Sequence, residues 1–309
     1  MPEGADFILH HYDASPFSEK ARLMFGIKGL SWRSVIQPNI MPKPDLTPLT
    51  GGYRRAPVMQ IGADVFCDTQ VILLEIERRE PRRVATSALG WAVNLWADRV
   101  FFGVTVPVIF GEIGEQVPQA FIKDREKLSG RPFDIAAMKA AAAPMRGQWR
   151  SMAGWIDGSL WDAPFLAGER PGIVDIAAYM NVWFLAGVLP KVADELLTNF
   201  AKVAAWRERM AQIGHGTRTE MTAAEALEIA AGAEPDGDMR HDRADPLGLE
   251  PGAPVQVSAD DYGRDPISGT LVAANSQRVV IERRDERLGR LHVHFPRAGY
   301  VVAPGPRTP

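Results

Sequence analysis

Between Leu9 and Ser18 the chain reads Leu-His-His-Tyr-Asp-Ala-Ser-Pro-Phe-Ser, which sets a serine hydroxyl between a strand end and a helix start. Proline suits the first helical position, and serine is among the best residues just before it. Ser15 therefore has two readings. It caps the helix, or its hydroxyl and the helix end together hold a thiolate, because helix N-termini carry unpaired N–H groups and a partial positive charge. A free thiol has a pKa of roughly 8.5, and only the thiolate is a good nucleophile. Lowering that value by ~2 units takes about 2.7 kcal/mol of preference for the anion, within reach of one hydroxyl donor and a helix end. Downstream, Cys67-Asp68-Thr69-Gln70 sets an acid and a hydroxyl at a second helix start. A carboxylate suits an ammonium group, and a hydroxyl with helix N–H groups suits a carboxylate. Taken alone, Asp68-Thr69 is another cap.

Strands and helices must hold these residues in place. Phe7-Ile8-Leu9 opens a buried strand, and the helix after Ser15 carries Ala21, Leu23, Met24, Phe25 and Ile27 up to Gly29. Trp32 to Gln37 reads as a second strand, followed by a loop with Pro38, Pro42, Pro44 and Pro48, none of which suits a helix interior. Val58 to Ile61 and Val65 to Cys67 form a hairpin across Gly62, and a helix runs from Thr69 with Ile72, Leu73 and Ile76 on one face. From about 84 to 231 the pattern is helical, clearest at Ile173, Ile176, Ala177, Met180, Trp183 and Phe184. Pro107 is expected to kink or end a long helix that begins near Thr86, and residues 115 to 132 read as an insertion loop. After a polar stretch at 232–254, short alternating β segments over 255–309 suggest a small barrel or curled sheet.

A chain of 309 residues with 46% hydrophobic content can build two or three cores. Its net charge of -3 argues against a dominant basic face for nucleic acid or an anionic membrane. No apolar run approaches the ~20 residues needed to span a bilayer. The acidic N-terminus does not read as a signal peptide, and a single cysteine, Cys67, fits a reducing compartment. The expected location is the cytoplasm.

Ser15-Pro16-Phe17-Ser18-Glu19-Lys20-Ala21-Arg22 resembles the start of the first helix in glutathione transferases of the serine-type classes. The resemblance implies that Ser15 is the thiol-activating residue, with Phe17 beside it. Arg54-Arg55-Ala56-Pro57-Val58 is similar to the segment in which this family places a cis-proline. It implies that the Ala56 backbone pairs with the cysteinyl part of glutathione ahead of Pro57, and that Arg55 either reaches the glycyl carboxylate or stays an exposed surface arginine. Asp68-Thr69 resembles the family's pair for the γ-glutamyl amine and carboxylate. Pro171-Gly172-Ile173-Val174-Asp175 is similar to the family's buried helix cap, with Gly172 in place of the usual hydroxyl residue. The fold implied is α+β and multidomain. It has a thioredoxin-like glutathione-binding domain at 1–82 and an all-helical domain at 83–231, to which the composition and alternation add a linker at 232–254 and a small β-barrel-like module at 255–309.

The implied activity is that of a detoxifying transferase. Glutathione, as co-substrate and without a metal, attacks an electrophilic or peroxide substrate, and the protein works as a homodimer. The alternative is a non-catalytic glutathione-binding or partner-binding protein of the same fold. Trp91, Trp96, Phe101, Phe102 and Phe110 are candidates for the electrophile wall between the domains, with Trp96, Phe101 and Tyr12 carried forward as its site residues. Most aromatics at helical spacing are core, and Tyr12 also reads as a support residue.

His10 and His11 point to opposite faces of a strand and do not jointly bind a metal. His292 and His294 share a face, read here as a solvated one, and Cys67 reads as a buried strand residue. The C-terminal segment from Val255 to Ala303 carries seven arginines against six acids, a solvated balance and not a nucleic-acid footprint. Dimer contacts, partner binding and cover for the site stand open as its role.

Overall fold

The computed structural model describes residues 7–81, 84, 87–237 and 239–306. Thr86, the expected start of the long helix, lies outside them. The chain begins with β1 (Ile8–His11), α1 (Pro16–Lys28), β2 (Ser31–Ile36), the single turn α2 (Thr47–Thr50), β3 (Val58–Ile61), β4 (Asp64–Cys67) and α3 (Thr69–Arg79). β1 runs parallel to β2 and antiparallel to β3, and β3 and β4 form the expected hairpin. α1 stops at Gly29, whose left-handed φ of 65° carries the C-cap. Trp32 stacks on Phe25 with ring centroids 5.2 Å apart, which ties β2 to α1.

The helical part comprises α4 (Ala88–Trp96), α5 (Phe102–Ile113), α6 (Gln119–Ser129), α7 (Ile135–Ser159), α8 (Ile173–Val188), α9 (Pro190–Leu196) and α10 (Ala201–Ile213). A π turn over Ala97–Phe101 joins α4 to α5, and Pro107 sits inside α5 without ending it. The continuous helix Ala88–Gln116 is long and apolar enough to cross a membrane by length and composition, contrary to the sequence expectation. It packs on α7 and α8 within the bundle. The segment expected as an insertion loop contains α6. Lys123 and Lys127 face outward, Ile122 is buried, and Gly130 closes it.

Two later segments return to the first sheet. β5 (Thr217–Glu220) pairs in parallel with β2, and α11 (Ala223–Ala231) packs behind it, although both were expected in the helical part. Close approach makes this possible: a Cβ on Gly26 would stand 2.0 Å from the Gly214 carbonyl oxygen. Residues 232–237 and 239–253 form no helix or strand and are tied down by the Asp245–Arg297 pair and by Asp242 N–H bonding the Ala274 carbonyl.

The C-terminal strands β6 (Pro254–Ala259), β7 (Ile267–Ala274), β8 (Arg278–Asp285), β9 (Gly289–Pro296) and β10 (Tyr300–Pro304) form an antiparallel curl. β9 pairs in parallel with β4, so all ten strands make one sheet in the order β10-β6-β7-β8-β9-β4-β3-β1-β2-β5. At that seam His292 and His294 are buried, which corrects the solvated reading. His294 Nε2 lies 2.7 Å from Asp64 Oδ1, and the ring stacks on Phe66 at 4.3 Å. The alternation that looked like an exposed face is buried at the seam where β9 pairs with β4.

His10 and His11 are also fully enclosed, on opposite faces. His10 Nε2 lies 2.9 Å from Gln60 Oε1. Arg22 Nη1 donates to His11 Nδ1 at 3.2 Å, which only a neutral imidazole can accept, so Nε2–H faces Ser34 Oγ at 3.0 Å. Burial pulls His10 down to about 4, against a weaker upward pull from Gln60. Burial and then the Arg22 charge pull His11 down to about 3. Below pH 6.5 the unfolded chain therefore binds two protons that the fold refuses. Stability falls as pH falls from 7, by roughly 2 kcal/mol per imidazole at pH 5. Urea midpoints at pH 7.5 and 5.5 check this; equal midpoints contradict it.

Candidate functional site

Ser15 occupies the cap position of α1 with an extended backbone (φ -79°, ψ 119°), and its Oγ accepts from Ser18 N–H at 3.1 Å. Its own O–H proton has no acceptor among the described residues. The Ala56–Pro57 bond is cis, and Ala56 lines the same cavity as Ala14, Pro16 and Phe17 at the start of α1. Asp68 caps α3 with φ at 90°, an unusual value for a residue with a Cβ and one that recurs where function demands it.

Beside these elements a cavity of about 390 Å³ opens between the two domains. Tyr12, Ala14, Pro16 and Phe17 form one wall, and Phe102, Val106 and Phe110, four residues apart on α5, face them. Phe121, Arg125 and Leu128 of α6 close the far side, with Phe133 and Phe184. Lys43, Arg54 and Arg55 line the floor beside Ala56. Among the described residues no carboxylate lines this cavity, although Asp124 stands behind it, 2.7 Å from Arg54 Nη2. Lys43 donates to the Arg54 carbonyl at 2.8 Å and forms no ion pair among the described residues; burial and then Arg125 pull its ammonium down to about 8. The site is apolar, aromatic and cationic, which suits an amphipathic anion.

The sequence-predicted residues divide into groups. Phe17, Arg55, Ala56 and Tyr12 line the cavity. Pro57, Asp68 and Thr69 border an adjoining void of about 30 Å³, room for a water or two, together with Phe17 and Arg55. Ser15 lies between two lining residues, Ala14 and Pro16, and is itself 1% exposed. Trp96 and Phe101 are not in the wall, which corrects the expectation for both. Phe101, within the π turn, is buried against Trp96 at 5.2 Å and Trp149 at 5.6 Å, while Phe102 and Phe110, also named as wall candidates, line the cleft. Trp91 is likewise a core-packing residue. The sequence reading missed Lys43, Arg125, Phe121 and Tyr262. The spacing of Phe121, Arg125 and Leu128 was a helical signal; Tyr262 had none.

The C-terminal module reaches into the same region. Asp261 pairs with Arg55, and the Arg55 guanidinium stacks over Tyr262 at 4.0 Å, so Arg55 is neither free nor exposed. Tyr300 donates its hydroxyl proton to Asp68 Oδ2 at 3.1 Å. The Thr69 hydroxyl accepts from Lys20 Nζ at 3.0 Å, which is also held by Asp98 at 2.7 Å. Cys67, beside them, is fully buried, and burial pushes its thiol well above the usual range, so it is no nucleophile.

The model of the glutathione S-transferase N-terminal domain matches residues 9–84, and that of the C-terminal domain matches residues 139–209. A GST-like protein from Pseudomonas syringae is 33% identical, with a TM-score of 0.80 over 97% of this chain and 100% of that one. The chain belongs to the glutathione S-transferase family. That match leaves out only about 3% of the chain, so it runs through the β module. FzlA from C. crescentus is 23% identical, with a TM-score of 0.51 over 79% of this chain and 100% of that one. The Tau class glutathione S-transferase from mango is 14% identical, with a TM-score of 0.50 over 74% and 98% of the two chains. These two share the fold. No curated protein sequence matches the chain.

Proposed function

We propose that this chain is a glutathione transferase that holds the glutathione sulfur against the amino end of α1 and presents it to an electrophile in the aromatic cavity. The observation that carries the reading is that one cavity brings together the α1 start, the Ala56–Pro57 turn and a cationic floor. The thiol gives its proton to water, the sulfur–carbon bond forms, and the leaving group departs with the electron pair of the bond that breaks. Ser15, with its uncommitted proton, is the donor to the thiolate. The Ala56 backbone takes the cysteinyl peptide, and Asp68 and Thr69 take the γ-glutamyl head. By the same reading the protein is a cytoplasmic homodimer.

Ser15→Ala is expected to lower kcat by roughly 10²-fold while leaving much of the glutathione affinity. Steady-state kinetics with a general electrophile checks this; unchanged turnover moves the role to Tyr12 or to backbone amides.

A second reading, a non-catalytic binding protein of the same fold, is favoured by one observation. Asp68 and Thr69 already have Tyr300 and Lys20 as partners, so the γ-glutamyl head must exchange with them. Glutathione binding without turnover across a broad electrophile panel is its signature.

A further inference from the structure

The loop between β6 and β7 belongs to the C-terminal module, yet its tip is built into the cleft. Three contacts fix it to both other parts of the chain. Asp261 pairs with Arg55 of the first domain, Asp260 Oδ1 lies 2.5 Å from Arg99 Nη2, and Gly263 N–H donates to the Leu128 carbonyl of α6 at 2.7 Å. Gly263 holds φ at 59°, in the left-handed region where a residue with a Cβ is strained, and a Cβ there would come within 2.9 Å of Leu128 Cδ1.

Tyr262 stands at its tip. It borders the main cavity, the void beside Ala56 and Thr69, and the void beside Asp68 and Asp98. Its ring lies under the Arg55 guanidinium at 4.0 Å, which fixes its plane. Its neighbours Tyr53 and Tyr300 bond each other's hydroxyls at 3.1 Å, whereas the Tyr262 hydroxyl has no hydrogen bond among the described residues. A held phenol without a partner beside a cavity is a donor waiting for a ligand's anion. Burial pushes its pKa up to about 12, against the Arg55 charge, so it remains protonated and able to donate. The charged groups around it are the Arg55–Asp261 pair, Asp68 held by Tyr300, Asp98 held by Lys20, and Lys43 on the cavity floor.

We propose that Tyr262 is a catalytic residue supplied by the C-terminal module, donating a hydrogen bond to the glutathione thiolate in the cavity it shares with the start of α1. The inference rests on the transferase reading above. It gives the module a part in the chemistry: the sulfur is held by one donor from the first domain and one from the last.

The test titrates the ultraviolet absorbance of the bound thiolate in the full-length protein and in Tyr262→Phe, beside calorimetry with glutathione and steady-state kinetics. In Tyr262→Phe the thiolate midpoint is expected to rise by about one unit and kcat to fall by at least tenfold, with glutathione affinity little changed. Gly263→Ala, which displaces the loop and leaves the phenol present, is expected to move both values the same way by less. Normal glutathione binding with an unmoved midpoint in Tyr262→Phe overturns the inference and leaves the transferase reading standing. No glutathione heat with the parent protein overturns that reading, and the inference falls with it.

Discussion

A chain ending at residue 253 is expected to lose its cooperative melt and to aggregate, although the deleted segment lies beyond both domains that define the family. The module shares a core with the first domain. Leu46, Leu49, Tyr53, Val58, Val65 and Cys67 belong to the same buried cluster as Val255, Ile281, Val293 and Phe295. Uncovering those six side chains costs roughly 1.5 kcal/mol each, a sum comparable to the ~5–15 kcal/mol by which whole proteins are stable. It also turns β4, now paired with β9, into an open apolar edge. Arg278 leaves Glu75, to which it now donates at 3.0 Å in a buried pair. Burial raises the Glu75 pKa, but Arg78, Arg79 and Arg278 outweigh it and hold the carboxyl at about 2. Circular dichroism melts of the two chains decide. A truncated chain melting within a few degrees of the parent contradicts the shared core.

Asp175→Ala is expected to cost roughly 4 kcal/mol and to lower Tm by roughly 10 °C. The carboxylate is fully buried and serves four donors. Leu166 N–H at 2.7 Å and Trp206 Nε1–H at 2.8 Å reach Oδ1; Gly172 N–H at 2.9 Å and Ala167 N–H at 3.1 Å reach Oδ2. Alanine leaves all four in the bundle interior without an acceptor. Asp175→Asn keeps Oδ1 but turns an amide NH₂ against two N–H groups, so it should fall between the two. Denaturant titration measures both. A loss under 1 kcal/mol in the alanine variant contradicts the account.

The local elements were legible because short-range rules decide them. Ser15-Pro16 marked the start of α1, Gly29 its end, and Gly172 with Asp175 the head of α8. The candidate residues Ser15, Phe17 and Asp68 were legible because they lie on or beside such local elements. Pairing at long range was not. Nothing at Thr217–Glu220 announces that it joins β2, and nothing at Gly289–Pro296 announces that it covers β4. The same blindness gave His292 and His294 a solvated face and left Arg55 without Asp261. A π turn is equally silent in sequence, and the spacing alone could not tell that, of the aromatic candidates, Phe102 and Phe110 line the cleft while Trp96 and Phe101 do not.

The most direct test of the proposed sulfur site is the melting temperature of the intact protein with millimolar glutathione, against the same tripeptide with serine in place of cysteine. At ~100 times its dissociation constant a ligand stabilises by about 2.7 kcal/mol, a rise of several degrees for a chain of this size. The account predicts that rise with glutathione and a clearly smaller one with the serine tripeptide, because only the thiolate engages the end of α1. A melting temperature unmoved by glutathione, or moved equally by both peptides, contradicts it.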